Sequence, residues 1–337
     1  MKKSVKIILL LLTLSGGFIS HLVAQQYLAG ASINGKWGFI DQKGNWVIQP
    51  AYEEVQNFSE GLAAAKTGGN WGYITLKGTW EVQPVYKRAE DFSEGLARVI
   101  IRDLGKWVYL DKTGKQAFDA RFENCMNFSF GRAAARASSK WGYIDHKGNY
   151  VIPDKYEHAE TFSDGVGRVA IDKVYGFVTP DGEWALKTDL ENIRDMCEGV
   201  APAKGKEGWG FIDKTGKILV LTVNDHARNF SEGLGGCRNK GKWGFYNTSG
   251  KLVIPFSFDN CRDFSEEFAA VCKGKLWGFI DKTGKYVVNP QYDKVLDFSG
   301  SLAPVKLSNT WGFIDTSGKM VISAQFDNAL PFVKTGE

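Results

Sequence analysis

A single period governs this chain. A Trp or Tyr recurs at Trp37, Trp71, Trp107, Trp141, Tyr175, Trp209, Trp243, Trp277 and Trp311, in steps of 34 residues with one step of 36. Twenty-one residues after each anchor stands Phe58, Phe92, Phe128, Phe162, Met196, Phe230, Phe264, Phe298 or Phe332, and this spacing never varies. Nine copies in one register mark a repeat architecture. A unit of this size cannot bury its apolar face alone, so stacked neighbours must bury it together. The two additional residues fall within 100–106, in a stretch read as a turn.

Each unit holds three strand-like runs, of the kind GLAAAK (61–66), WGYI (71–74) and WVI (46–48). Between the last two sits Asp-x-x-Gly, as in Asp213 to Gly216, which fits a type I turn closed by a left-handed Gly. Small or polar pairs such as Gly68-Gly69 and Ser138-Ser139 separate the first two, and these also suit hairpins. The unit therefore reads as a three-stranded meander followed by a linker. Ile40, Ile48 and their equivalents lie on one face of the meander, and the Trp and the ring two residues later lie on the other. A middle strand apolar on both sides must be covered on both sides. Tyr52, Val55 and Phe58 of the linker recur as apolar positions and are expected to cover the aromatic face. The fifth unit departs most, with Tyr175 for Trp and Met196 for Phe.

The running pattern WGFID..G..VI..P.Y......FSEGLA..K resembles the bacterial WG-containing (KWG) repeat, over about residues 27–332. The resemblance implies a β-rich repeat protein, often exported, and carries no enzymatic activity with it. The expected architecture is all-β: an elongated, twisted solenoid of tandem three-stranded meanders. The alternative is a closed, propeller-like ring. Propeller blades usually have four strands, which favours the solenoid. Against it, neither terminal unit has a polar cap, and an open array would leave strand edges bare at both ends.

Hydrophobic residues make up 43% of the 337 and charged residues 24%, so the chain has enough apolar surface to fold. Residues 1–24 stand apart: Lys2, Lys3 and Lys6 precede an aliphatic run from Ile7 to Leu14, and Ala24 offers a small residue for cleavage. This is the pattern of a secretory signal peptide. Residues 25–337 then form one array of nine units. Removing three Lys and no acids takes the formal charge from +4 to +1. No Lys/Arg block remains, so the electrostatic footprint of a nucleic-acid binder is missing. No second apolar stretch is long enough for a stable membrane span.

Repetition also weighs against catalysis. Ser59 recurs six times and Glu60-type acids recur beside it, whereas a nucleophile or a glycosidase pair is a single asymmetric constellation. Cys125, Cys197, Cys237, Cys261 and Cys272 stand where other units carry Val, Ala or Ser, and read as fillers of small slots. His158 and His226 share one unit position among polar residues, read as solvated and too far apart for one metal. Acidic rows (Glu53, Glu123, Asp225, Asp259, Asp327; Asp41, Asp111, Asp213) read as turn caps and partners of neighbouring Lys. No phosphate loop or dinucleotide fingerprint occurs, so no cofactor is expected. Trp46, Trp80 and Trp184 exceed the repeat's own aromatic positions and are candidate ligand-binding rings. The expected function is a non-enzymatic, exported binding or scaffold protein of the cell envelope. A protein partner is the first expectation, a glycan bound by surface Trp/Tyr the alternative, and a hydrolase the least favoured.

Overall fold

The structure, a computed structural model, describes residues 26–335, and the side chains of 221–223 are outside the description. The expected signal segment, residues 1–24, lies outside the described residues. The described residues form nine antiparallel sheets, here blades 1 to 9 in chain order. Blade 2 is representative: Glu54–Ser59, Leu62–Thr67, Asn70–Thr75 and Trp80–Tyr86 pair in sequence order. Its last three strands are the expected meander. Its first strand is the linker.

That first strand carries a bulge. Val55 pairs with Ala65 and Phe58 with Ala63, so three steps on one strand oppose two on the other. The bulge lets Val55 and Phe58 face the core although they sit three apart. The same irregularity recurs opposite Ala227/Phe230 and Cys261/Phe264. The turn that follows is a tight one with both central residues left-handed, Glu60 at φ 51 and Gly61 at φ 88, as a type I′ hairpin requires.

The elongated solenoid is overturned by how the ends meet. The first described strand, Tyr27–Ile33, pairs with Asn328–Ala329 through Ala31↔Ala329 and Ser32↔Asn328, and with Val333–Lys334 through Leu28↔Val333. The C-terminal linker is thus the first strand of blade 1, and the array closes into a nine-bladed ring of the propeller type. Closure removes the bare edges that an open array would expose. The first strand of a blade packs on the blade before it: Asn260–Ser265 on His226–Ser231, Leu234–Asn239 and Lys242–Asn247, and His226–Ser231 on Val200–Gly205 and Gly208–Asp213. First strands therefore line the inner rim.

Aromatic contacts join the blades. Phe39 meets Phe58 at 4.7 Å, Tyr73 meets Phe92 at 4.8 Å and Phe279 meets Phe298 at 4.7 Å, each from a third strand to the next blade's first strand. A fully buried Phe is worth roughly 1.5–3 kcal/mol, so these pairs dominate each junction. Serines add a bond: Ser59 Oγ donates to the Phe92 carbonyl at 2.7 Å, and Ser231 Oγ to that of Phe264 at 2.7 Å.

The Gly of the WG pair has a steric reason. A Cβ on Gly278 would lie 2.3 Å from the Val288 carbonyl oxygen, and one on Gly72 would lie 2.4 Å from that of Val82. The fourth strand bulges against this backbone and leaves no room for a side chain. Unit three has Val108 in that place. Blade 3 has no fourth strand; the segment after its third strand makes only isolated bridges, Leu110↔Gln116 and Trp107↔Phe122.

Candidate functional site

Most repeated polar residues are used in building the ring. Asp41 Oδ1 accepts the N–H of Lys43 and of Asn45, both at 2.9 Å, and equivalent acids cap the same turn in other blades. Hydrogen bonds from the Thr113, Thr215 and Thr283 hydroxyls first, and these backbone bonds after them, hold the carboxyls of Asp111, Asp213 and Asp281 below the usual range. The Glu53 row caps the hairpins after the second strands: Glu53 accepts from Gly69 N–H at 3.0 Å and Asp259 from Gly274 N–H at 2.7 Å. The Glu60 row reaches forward, with Gly95 N–H donating to Glu60 Oε2 at 3.0 Å.

The three candidate tryptophans are wedges between blades. Trp46 lies edge-on to Phe326 at 5.7 Å, Trp80 to Tyr52 at 5.6 Å and Trp184 to Tyr156 at 6.4 Å, each against the preceding blade. All three are half-buried. The five cysteines are unpaired. Burial pushes the Cys125 and Cys237 thiols up to about 12, so they stay protonated and inert. His158 is exposed, but His226 is not the solvated residue expected. It sits half-buried between Trp209 and Trp243, with ring centroids 6.1 and 5.5 Å away, and its Nε2 accepts from Arg194 Nη2 at 2.9 Å. Burial first, and the Arg194 charge second, lower its pKa.

The blades cease to be alike in the two bulge positions of the first strand. They read Gln56-Asn57, Glu90-Asp91, Met126-Asn127, Glu160-Thr161, Arg194-Asp195, Arg228-Asn229, Arg262-Asp263 and Leu296-Asp297. Blades 6 to 8 thus supply three arginines in a row. Arg228 Nε donates to Asp263 at 2.6 Å and Arg262 Nε to Asp297 at 2.6 Å, each across a junction. Asp91 is pushed up to about 6, by burial first and by the Glu90 charge second. This variable belt was visible in the sequence only as failed repetition, and the bulge hides it from any reading by alternation.

Beside the belt, a recess of about 520 Å³ opens between blades 2 and 3, lined by Trp71, Glu54, Gln56, Lys87 and Arg88. Trp71 is half-buried there, with Lys66 Nζ 5.8 Å from its ring centroid. Gln56 Oε1 is a buried acceptor with no hydrogen-bond partner. At the equivalent place between blades 5 and 6 the recess shrinks to about 200 Å³, around Tyr175, His158, Glu160 and Arg168. Between blades 3 and 4, Arg98 lies 4.8 Å from the Trp107 centroid and bonds Asn127 at 2.8 Å, reaching across the same position. The recess thus pairs an aromatic wall with an unmet acceptor, a carboxylate and two cations. Among the described residues, no group of three or more His, Cys, Asp or Glu is placed to hold a metal ion.

The model of the WG containing repeat matches residues 37–71, 71–107, 107–141, 141–174, 209–243, 243–277, 277–311 and 311–336. The chain belongs to the WG-containing repeat family. The stretch its matches pass over holds Tyr175, Trp184 and Met196, the most divergent unit. No curated protein is a significant match to the sequence. Among solved structures, a eukaryotic initiation factor is similar at a TM-score of 0.66 and 11% identity, covering 92% of this WG-repeat chain and 98% of that one. The dihydro-heme d1 dehydrogenase NirN, solved in complex with DHE, is similar at a TM-score of 0.52 and 11% identity, over 93% of this chain and 75% of that one. At such identity the likeness is one of fold alone.

Proposed function

We propose that this WG-repeat ring is a non-enzymatic binding protein that takes a carbohydrate in the recess beside Trp71. The recess itself carries the reading. A sugar presents an apolar C–H face for stacking on Trp and a rim of hydroxyls that donate and accept. Trp71 offers the stacking wall, Gln56 Oε1 an acceptor without a donor, and Glu54, Lys87 and Arg88 further polar contacts. A volume of about 520 Å³ lies within the ~300–1,000 Å³ of small-ligand sites. The absence of catalysis in this reading is supported by the serine row, whose hydroxyls donate to backbone carbonyls rather than facing a histidine base. Export by the N-terminal segment would bring the ring to envelope glycans.

The test is tryptophan fluorescence of the full chain titrated with a panel of envelope glycans. Binding should be lost in Arg88→Ala and Trp71→Ala and kept in Trp184→Ala. Silence across the panel contradicts the proposal. A protein partner has one observation of its own: Phe130 is 54% exposed at φ 53, where six other blades carry Glu or Asp in the same turn. A bulky apolar residue held exposed in the left-handed region suits a contact on that face.

A further inference from the structure

The junction of blades 5 and 6 departs from the ring's rule in a way that creates a second site. Every third-strand aromatic meets a Phe on the next blade's first strand, as Tyr143 meets Phe162 at 4.8 Å and Phe211 meets Phe230 at 4.9 Å. At this junction alone, Phe177 faces Met196. Val166 stands where Leu62, Leu96, Leu234 and Leu302 stand, a place that Val200 fills in the next blade, and Ala185 stands where Val47, Val151, Val253 and Val321 are exposed. A cavity of about 400 Å³ lies at this junction, lined by these residues, with Asp164 and Lys214 at its edge. Leu186 is half-buried, as is its equivalent Phe118, whereas Ile48, Val82, Ile152, Val220, Ile254, Val288 and Ile322 are buried.

The charge at the edge is also displaced from the rule. The cation following the capping Asp in the turn before the fourth strand normally reaches the preceding blade's acid. Lys112 lies 3.1 Å from Glu60, His146 3.1 Å from Glu94 and Lys282 3.3 Å from Glu232. Lys214 should meet Asp164, which is one methylene shorter than the Glu of those pairs; like Glu60, it accepts the next blade's turn N–H, from Gly199 at 2.7 Å. Among the described residues Lys214 has no ion pair, and its side chain is exposed beside the cavity.

We propose that this junction is a binding site for a small aryl carboxylate, whose ring enters the cavity beside Met196 and Leu186 and whose carboxylate pairs with Lys214. The site is separate from the recess beside Trp71 and stands or falls without it. An apolar cavity filled by a ring gains buried area on every side. A singly charged headgroup left at the edge keeps most of its hydration, so the ion pair selects the ligand more than it tightens it.

Calorimetric titration of the full chain with 3-phenylpropionate tests this, with 3-phenylpropanol and acetate beside it. The acid should bind with one site per chain, the alcohol several-fold more weakly, and acetate not at all. Met196→Phe should narrow the cavity and weaken binding. Lys214→Gln should bring the acid's affinity down to that of the alcohol. If Met196→Phe does not fold, Ala185→Leu obstructs the same cavity from an exposed position and should weaken binding at least fivefold. No heat with either ring-bearing probe, or binding unchanged in the cavity-narrowing variants, overturns the site. Equal affinity for acid and alcohol overturns its anion preference.

Discussion

The backbone N–H of Gly35 donates to Asp327 Oδ2 at 3.0 Å, across 292 positions of sequence. Gly69 to Glu53 and Gly241 to Asp225 make the same bond within their own blades, both at 3.0 Å. The seam where the chain's ends meet is therefore built like the rest of the ring. Gly44 says the same on another surface. Its Cβ would lie 2.9 Å from Ile322 Cγ2, as that of Gly78 would from Ile48 Cγ2 in the adjacent pair of blades.

Asp327→Ala should therefore weaken closure without altering any blade. The bond is charged but exposed, so the loss should be about 1 kcal/mol. Because it falls at the seam, the variant should also gain protease sensitivity at the C-terminus. Limited proteolysis beside a denaturant curve checks both.

Gly278→Ala places a Cβ 2.3 Å from the Val288 carbonyl oxygen. Overpacking against backbone costs about 1–3 kcal/mol. The expected consequence is local: the strand Tyr286–Tyr292 should exchange its amide hydrogens faster, as though blade 8 had become like blade 3. Gly274→Ala, in an open hairpin with nothing near its Cβ, has only the strain of φ 68 to bear.

Ser265→Ala removes a hydroxyl that donates to the Phe298 carbonyl at 2.8 Å. It leaves a part-buried acceptor unmet, at a cost of about 1–2 kcal/mol. The double variant Ser265→Ala, Ser93→Ala lies at two separate junctions, so the costs should add. Chemical denaturation measures each.

Asp91 sets a pH dependence. Its folded pKa of about 6 lies above the ordinary 3.8, so between these values the folded state holds more of its proton. Stability should fall as pH rises through that window and level off above it. The expected loss is on the order of 1–2 kcal/mol after allowing for partial exposure. Asp91→Asn should remove this slope. It should leave the separate loss in stronger acid, where the lowered turn carboxyls of Asp41 and Asp145 take up protons. Thermal melts from pH 3 to 8 distinguish the two limbs.

The period, the hairpin chemistry and the covering role of Tyr52, Val55 and Phe58 were legible because each is local or repeated nine times. The strand formed by the linker, the first of each blade, was not. Its bulge sets Val55 and Phe58 three apart, so the two-residue alternation that reveals strands is absent. Ring closure was hidden for a different reason: Ala31 and Ala329 pair across nearly the whole chain, and the curvature that brings them together is a sum of small rotations at every junction. The bare terminal units were the one sequence sign of it. Trp46, Trp80 and Trp184 looked surplus because the repeat does not fix that position, yet Tyr150 and Tyr286 occupy it too and pack edge-on to Phe122 and Phe258. Trp71 looked like pure core because the ring recurs in every unit, yet only Trp107, Trp141, Trp243 and Trp311 of that row are buried and Trp71 is half-buried. What distinguishes it is the neighbouring belt, where Gln56 does not fill the space that arginines fill elsewhere.

Small-angle scattering on residues 25–337 tests closure most directly. A compact domain of this length has a radius of gyration of about 20 Å. Nine open modules of three strands at ~4.8 Å per strand would form a rod of about 130 Å, with a radius of gyration near ~37 Å. The closed ring predicts a value close to the first. A value near the second would contradict the pairing of Ala31 with Ala329 and the account built on it.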